Sequence, residues 1–146
     1  MESVTRAGLV AGKTAFVTGA AKGLGRAIVN QLADAGASGA MFDVLPVEEA
    51  GNLPAGWTYR KGDVSCESDV EFALQTMLER HDRLDVVVAN AGVTAPWRST
   101  QDIDLEEWRR TFAVNVEGVA MTIKLAARQM MQAGGSIVAL GSLNSW

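Results

Sequence analysis

A short apolar run, Thr14-Ala15-Phe16-Val17-Thr18, passes directly into the glycine turn Gly19-Ala20-Ala21-Lys22-Gly23-Leu24-Gly25. Apolar residues then recur at helical spacing through Ile28 and Leu32 until Gly36. This junction constrains the fold more than any other stretch. The run is too short for a helix and too evenly apolar for a strand with one wet face, so it reads as a strand buried on both sides. Such a strand needs neighbours in the sheet and helices above and below it. The rest of the chain supplies them in alternation. Ala40-Met41-Phe42-Asp43 reads as a second strand, residues 47–56 as a loop with one helical turn at most, and Trp57-Thr58-Tyr59-Arg60 as a third strand. Ser65 or Ser68 can cap the next helix, whose apolar stripe is Val70, Leu74, Met77 and Leu78. Leu84 to Ala89 is the fourth strand. A long helix starts near Asp104, with Leu105, Trp108, Phe112, Val119 and Ile123 on one side, and Gly134-Gly135 ends it before the fifth strand, Ser136 to Leu140.

Strands that alternate with helices are joined by right-handed crossovers, and the predicted fold class is α/β, a doubly wound parallel sheet. No repeat or linker divides the chain. One domain is expected over residues 13–146, preceded by a leader, residues 1–12, with little structure. An apolar fraction of 48% and a charged fraction of 21% provide a core without disulfide support. The net charge of -4, with no basic run, argues against nucleic acid and against a membrane surface as partners. No stretch approaches the roughly 20 apolar residues of a bilayer span, and no signal-peptide pattern follows Met1. Cys66 is the single cysteine and reads as a small apolar residue at a helix start. A reducing, cytoplasmic setting is the expectation. His81 reads as a solvated residue at a helix end.

The glycine turn carries chemistry because of where it lies. A tight strand-to-helix turn requires residues free of Cβ clashes, and a pyrophosphate on a helix N-terminus requires exposed backbone N–H groups. The spacing is G-x-x-x-G-x-G, not the G-x-G-x-x-G of the commonest dinucleotide fingerprint. Gly12-Lys13-Thr14 resembles the end of a P-loop, but Ala7 stands where that motif needs glycine, and the segment precedes its strand. Asp43 ends the second strand about 20 residues on from the turn, where an acid accepts from the ribose hydroxyls of NAD and repels the extra phosphate of NADP. Lys22, a cation within the turn, pulls the other way; the position of Asp43 favours NAD over NADP.

Further motifs follow in order: Asp63-Val64 after the third strand, Asn90-Ala91-Gly92 after the fourth, Asn115 in the long helix, and Ser142 after the fifth. Together with Thr18, Gly19, Gly23 and Gly25 they resemble the classical short-chain dehydrogenases/reductases over nearly the whole chain from Gly12 onward. The resemblance implies a Rossmann-type sheet and NAD(P)-dependent hydride transfer between nicotinamide and an alcohol or carbonyl substrate. It implies that Thr18, Gly19, Lys22, Gly23, Leu24 and Gly25 cradle the cofactor, with Asp43 at the ribose. Asp63 would bond the adenine amino group, assisted by the Val64 backbone. Asn90 would stabilise the sheet, and Ala91 and Gly92 would leave room for the cofactor. Asn115 would hold a water of the proton relay, and Ser142 would bond the substrate oxygen. By spacing alone, Asn115 faces inward among apolar groups, and a buried amide needs partners. No metal ligand is assigned.

The family's general acid/base, the tyrosine of a Tyr-x-x-x-Lys motif, follows its serine; here the sequence ends at Trp146 and its single tyrosine is Tyr59. The chain is therefore expected to be a fragment of a homo-oligomeric enzyme, truncated after the fifth strand, prone to association and inactive alone. A non-catalytic dinucleotide-binding module acting through a partner is the alternative. A Rossmann-type methyltransferase is disfavoured by Asn90-Ala91-Gly92 and Ser142. Thr94 to Trp97 could line a substrate pocket, with Trp97 as an apolar wall or as loop packing. The substrate itself is not legible.

Overall fold

A computed structural model describes residues 8–142. Five strands, β1 (Thr14–Thr18), β2 (Ser38–Asp43), β3 (Trp57–Lys61), β4 (Val86–Ala89) and β5 (Ser136–Ala139), form one sheet in the order β3-β2-β1-β4-β5. Every pairing is parallel. The connections contain α1 (Gly23–Asp34), the single turn α2 (Val47–Ala50), α3 (Glu67–His81), and the pair α4 (Leu105–Phe112) and α5 (Val119–Met130). The strand order reverses between β1 and β4, which opens a crevice at their C-terminal ends.

Side chains alternate across β1 and feed two cores. Phe16 meets Phe42, Val70, Leu74, Met77 and Leu125 on the face covered by α3 and α5, with the Phe16 and Phe42 rings 5.8 Å apart. Ala15 and Val17 meet Val29, Met41 and Trp57 on the face covered by α1. Each fully buried side chain of the Phe or Val kind contributes roughly 1.5–3 kcal/mol.

Several expectations are corrected. The long helix is broken: residues 113–118 form a π-helical turn between α4 and α5. The wider turn shifts the helical phase. The face of α5 turned to the core is therefore Thr122, Leu125, Ala126 and Met130, while Leu105, Trp108 and Phe112 are exposed. Neither Ser65 nor Ser68 caps α3. Cys66 holds the N-cap position, because the Ser65 hydroxyl donates to Asp63 Oδ1 (2.7 Å) and the Ser68 hydroxyl lies 3.2 Å from Cys66 Sγ. Residues 8–12 of the supposed leader are not structureless. Their turns dock on the end of α1 through Val10 N–H to Ala35 O (3.3 Å) and Gly12 N–H to Gly36 O (3.1 Å); residues 1–7 lie outside the described part. The fourth strand begins at Val86; just before it, the Asp85 carboxylate accepts from Thr14 N–H (2.9 Å), Lys13 Nζ (3.3 Å) and Arg83 Nε (2.8 Å). Lys13, the lysine of the false P-loop, is thus bound in an ion cluster with Asp85. His81 is half-buried, not solvated: its Nδ1 lies 3.4 Å from Ser38 Oγ, and its Nε2 is buried without a partner among the described residues. Burial and the neighbouring Arg80 hold its pKa below the ordinary imidazole range.

Candidate functional site

The crevice holds a cleft of about 460 Å³, a size typical of small-molecule sites. Its rim is built from three strand ends. From β1 come Gly19, Lys22, Leu24 and Gly25; from β2, Asp43, Val44 and Leu45; and after β3, Gly62, Asp63, Val64 and Ser65. Asn90, Ala91, Gly92 and Val93 close it beyond β4, and Arg110, Ala113 and Val114 close it from the α4 side.

Two glycines leave no alternative at the turn. A Cβ on Gly25 would stand 2.1 Å from Gly19 O, and one on Gly19, at φ +63°, would stand 2.7 Å from Ala91 Cα. Gly23, at φ +57°, faces open space, where a Cβ would meet no protein atom within 4 Å. The helix behind this turn is uncapped: Lys22 holds the N-cap position without a side-chain hydrogen bond, and no acid stands in the first turn. Its N–H groups are therefore directed at the cleft with their partial positive charge uncompensated, which is the arrangement that receives a diphosphate.

Asp43 is 8% exposed, and both its carboxylate oxygens serve the backbone. Ala21 N–H donates to Oδ2 (2.8 Å) and Leu45 N–H donates to Oδ1 (3.1 Å). A carboxylate has about four acceptor positions, so capacity remains on both oxygens for hydroxyl donors. Asp63 is tied similarly. Its Oδ1 accepts from Ser65 N–H (2.9 Å) and the Ser65 hydroxyl, and its own N–H donates to Asp69 Oδ2 (3.0 Å). Val64 is buried against Gly118 of the π turn, where a Cβ would come within 2.7 Å of Val64 Cγ2.

Thr18 does not line the cleft. Its buried hydroxyl accepts from Asn90 N–H and Ala91 N–H, each at 3.1 Å, and so braces β1 against the segment after β4. Asn90 Nδ2 returns the contact by donating to Thr18 O and Gly19 O, each at 3.0 Å. Asn115 is exposed, not buried among apolar groups as its spacing suggested. The π turn carries it to the loop after β4, where Val93 N–H donates to Oδ1 and Nδ2 donates to Val93 O. Ser142, beyond β5, is exposed; Ser142 and Asn115 both stand outside the cleft lining. Trp97 is 100% exposed and packs neither as loop filler nor against this cleft. It borders a separate apolar groove with Ile103, Trp108 and Phe112. Val44, Leu45, Gly62, Ser65, Val93, Ala113, Arg110 and Val114 also line the cleft and were not among the expected site residues. The last two lie one helical turn apart, a signal that was available.

Residues 13–146 match the family model for short chain dehydrogenases. The chain belongs to that family. It is 41% identical over 140 residues to short-chain dehydrogenase reductase 4 of Arabidopsis thaliana, covering 90% of this chain and 46% of the relative. Among solved structures, carveol dehydrogenase from Mycobacterium avium in complex with NAD superposes with a TM-score of 0.87 at 31% identity, covering 93% of this chain and 56% of that one. A short-chain type dehydrogenase/reductase from Mycobacterium marinum gives a TM-score of 0.85 at 28% identity, with coverage of 95% and 58%. The chain spans about half the length of the curated relatives it matches. These likenesses show the Rossmann-type fold of the short-chain dehydrogenases. Among the described residues, no helix is long and apolar enough to cross a membrane.

Proposed function

We propose that the cleft binds NAD in preference to NADP, and that this chain is the cofactor-binding part of an oxidoreductase acting on a small alcohol or carbonyl compound. The observation that carries this reading is the bond from Ala21 N–H to Asp43 Oδ2 (2.8 Å), which locks an acid against the glycine turn. The uncapped end of α1 would receive the diphosphate. Asp43 would accept from the adenosine ribose, and a 2′-phosphate there would meet a fixed negative charge. Asp63 and Val64 would border the adenine, with Arg110 and Val114 opposite. Residues 13–146 form the binding domain in this reading, and the free thiol of Cys66 agrees with a reducing, cytoplasmic setting.

When bound, the nicotinamide supplies hydride exchange; the protein must hold the substrate oxygen and move its proton. Ser142 would bond that oxygen, and Asn115 would order the water path beside it. The only tyrosine, Tyr59, donates its hydroxyl to Leu45 O (2.7 Å) and is not placed to serve as the acid. The second reading is a dinucleotide-binding module acting through a partner, and the Asn115 amide, spent on both polar groups of Val93, favours it. Calorimetric titration of the purified chain separates these readings. NAD is expected to bind more tightly than NADP, with Asp43→Asn narrowing the gap, and secondary alcohols are expected to give no turnover. Absence of binding by either dinucleotide overturns the proposal, and turnover above background overturns the second reading.

A further inference from the structure

The turn that follows β2 is held at both ends of one peptide residue. Leu45 N–H donates to Asp43 Oδ1 (3.1 Å), and Leu45 O accepts from the Tyr59 hydroxyl (2.7 Å). Tyr59 stands opposite Met41 in the β2–β3 register. Met41 and Asp43 share a sheet face because side chains alternate along a strand, and Tyr59 packs in the same core as Met41. The phenol therefore runs along that face beside the Asp43 carboxylate. Arg26 grips the far side of the connection through Ala50 O (2.6 Å) and Asn52 O. A continuous chain of bonds thus leads from Ala21 in the glycine turn through Asp43 and Leu45 to Tyr59.

We infer that Tyr59 is a positioning residue for cofactor discrimination: its hydroxyl fixes Leu45, and Leu45 fixes the rotamer of Asp43 at the rim of the cleft. The inference rests on the proposed dinucleotide site and goes beyond it, since Tyr59 itself lies outside the cleft lining. Its physical content is orientation. A carboxylate held by two N–H donors presents its remaining lone pairs in fixed directions, which suits paired ribose hydroxyls and keeps the negative charge where a 2′-phosphate would sit. Without the phenol hydroxyl, the carbonyl of the Leu45–Pro46 peptide loses its anchor, Leu45 gains freedom about its own backbone angles, its N–H bond to Asp43 loosens, and only the Ala21 N–H still fixes the direction of the carboxylate. Burial, with the Asp43 and Glu48 carboxylates nearby, pushes the phenol pKa up to about 12, so the hydroxyl stays a donor through the range in which such enzymes are assayed.

The test is Tyr59→Phe in the full chain, titrated with NAD and with NADP by calorimetry. The NAD to NADP affinity ratio is expected to fall about three- to tenfold, the effect of losing one half-buried hydrogen bond. NAD binding should weaken while NADP binding holds or improves. Tyr59→Met fills similar space without a hydroxyl and should give the same ratio. Trp57→Phe is the control on the same strand: it removes the bond from Trp57 Nε1 to Ala37 O (3.1 Å), far from the cleft. It should lower the melting temperature and leave the ratio unchanged. If Tyr59→Phe and Tyr59→Met weaken both dinucleotides equally or leave the ratio unmoved, Tyr59 is structural only and the inference fails while the site stands. If the unaltered chain binds neither dinucleotide, the proposed function fails and takes the inference with it.

Discussion

Asn115 and Val93 exchange a pair of hydrogen bonds, Val93 N–H to Oδ1 and Nδ2 to Val93 O, both 2.8 Å long. One amide side chain thus satisfies donor and acceptor of a single peptide residue and fastens the loop after β4 to the π turn. Because that loop supplies Asn90 to Val93 to the cleft, this pair ties the π turn to the rim of the cleft.

Asn115→Asp tests this coupling with little change of volume. The carboxylate still accepts from Val93 N–H but sets a negative oxygen against Val93 O. Losing one bond and adding that repulsion should cost about 1–2 kcal/mol. Hydrogen exchange is expected to speed at Val93 and its neighbours, with no change in the β1–β2 amides. Exchange that rises uniformly across the sheet would mean the pair does not act locally.

The glycine turn separates folding from binding at two of its positions. Gly25→Ala would press a methyl to 2.1 Å from Gly19 O, a clash with backbone that can move only by opening the turn. Overpacking of this kind typically costs 1–3 kcal/mol or more. Gly23→Ala meets open space and bears only the left-handed strain of roughly 1–2 kcal/mol. Its methyl would stand where the diphosphate is proposed to lie. Gly25→Ala should show chiefly in thermal unfolding, and Gly23→Ala chiefly in the NAD titration. The reverse pattern would place the phosphate elsewhere.

The succession of strands and helices, the parallel sheet and the glycine turn were readable because each rests on short-range pattern: apolar runs of strand length, helical spacing between them, and glycine where β meets α. The place of Asp43 at the end of β2 was readable as well, from an apolar run that stops at an acid. What was not readable depends on contacts distant in sequence. Thr18 reads as part of a phosphate turn, yet its hydroxyl belongs to Asn90 and Ala91 across the sheet. Asn115 looked inward because spacing assumes an unbroken helix, and the π turn changes the phase. Ser65 and Ser68 looked like caps because local preference says nothing of Asp63, which takes the Ser65 hydroxyl first. The brace of Tyr59 on Leu45 joins β3 to the turn after β2, and no periodicity announces it.

The ion cluster at the start of β1 predicts the acid limb of stability. Burial alone would raise the Asp85 carboxyl, but Arg83, the Thr14 N–H and Lys13 together outweigh it and hold the group below the ordinary carboxylate range. A folded pKa below the unfolded value, about 3.9, stabilises the fold above that pH, and the contribution drains away as pH falls through the folded value. Asp85→Asn should lower stability near neutral pH by about 1–3 kcal/mol and flatten the melting-temperature profile below about pH 4. An acid limb as steep as that of the parent would show that other carboxylates dominate it. His81 acts at higher pH: its pKa is lowered on folding, so its contribution is complete above about 6.5 and declines as pH falls below that. His81→Gln should remove that step.

On the outer face of α4 and the π turn, Leu105, Trp108, Phe112 and Val116 form an apolar stripe, each between 45% and 59% exposed. Trp108 and Phe112 stack with ring centroids 4.9 Å apart, so the stripe is already ordered and loses little side-chain freedom on being covered. Exposed apolar surface of this extent marks contact with another molecule. The family resemblance makes a second subunit the proposed partner. The core side of the same helical stretch is separate, Thr122, Leu125, Ala126 and Met130, so charges on the stripe should leave the fold intact. The double variant Trp108→Glu, Phe112→Glu is expected to shift sedimentation toward monomer while preserving the melting transition measured at low protein concentration. Association that persists in the variant would assign self-contact to another surface.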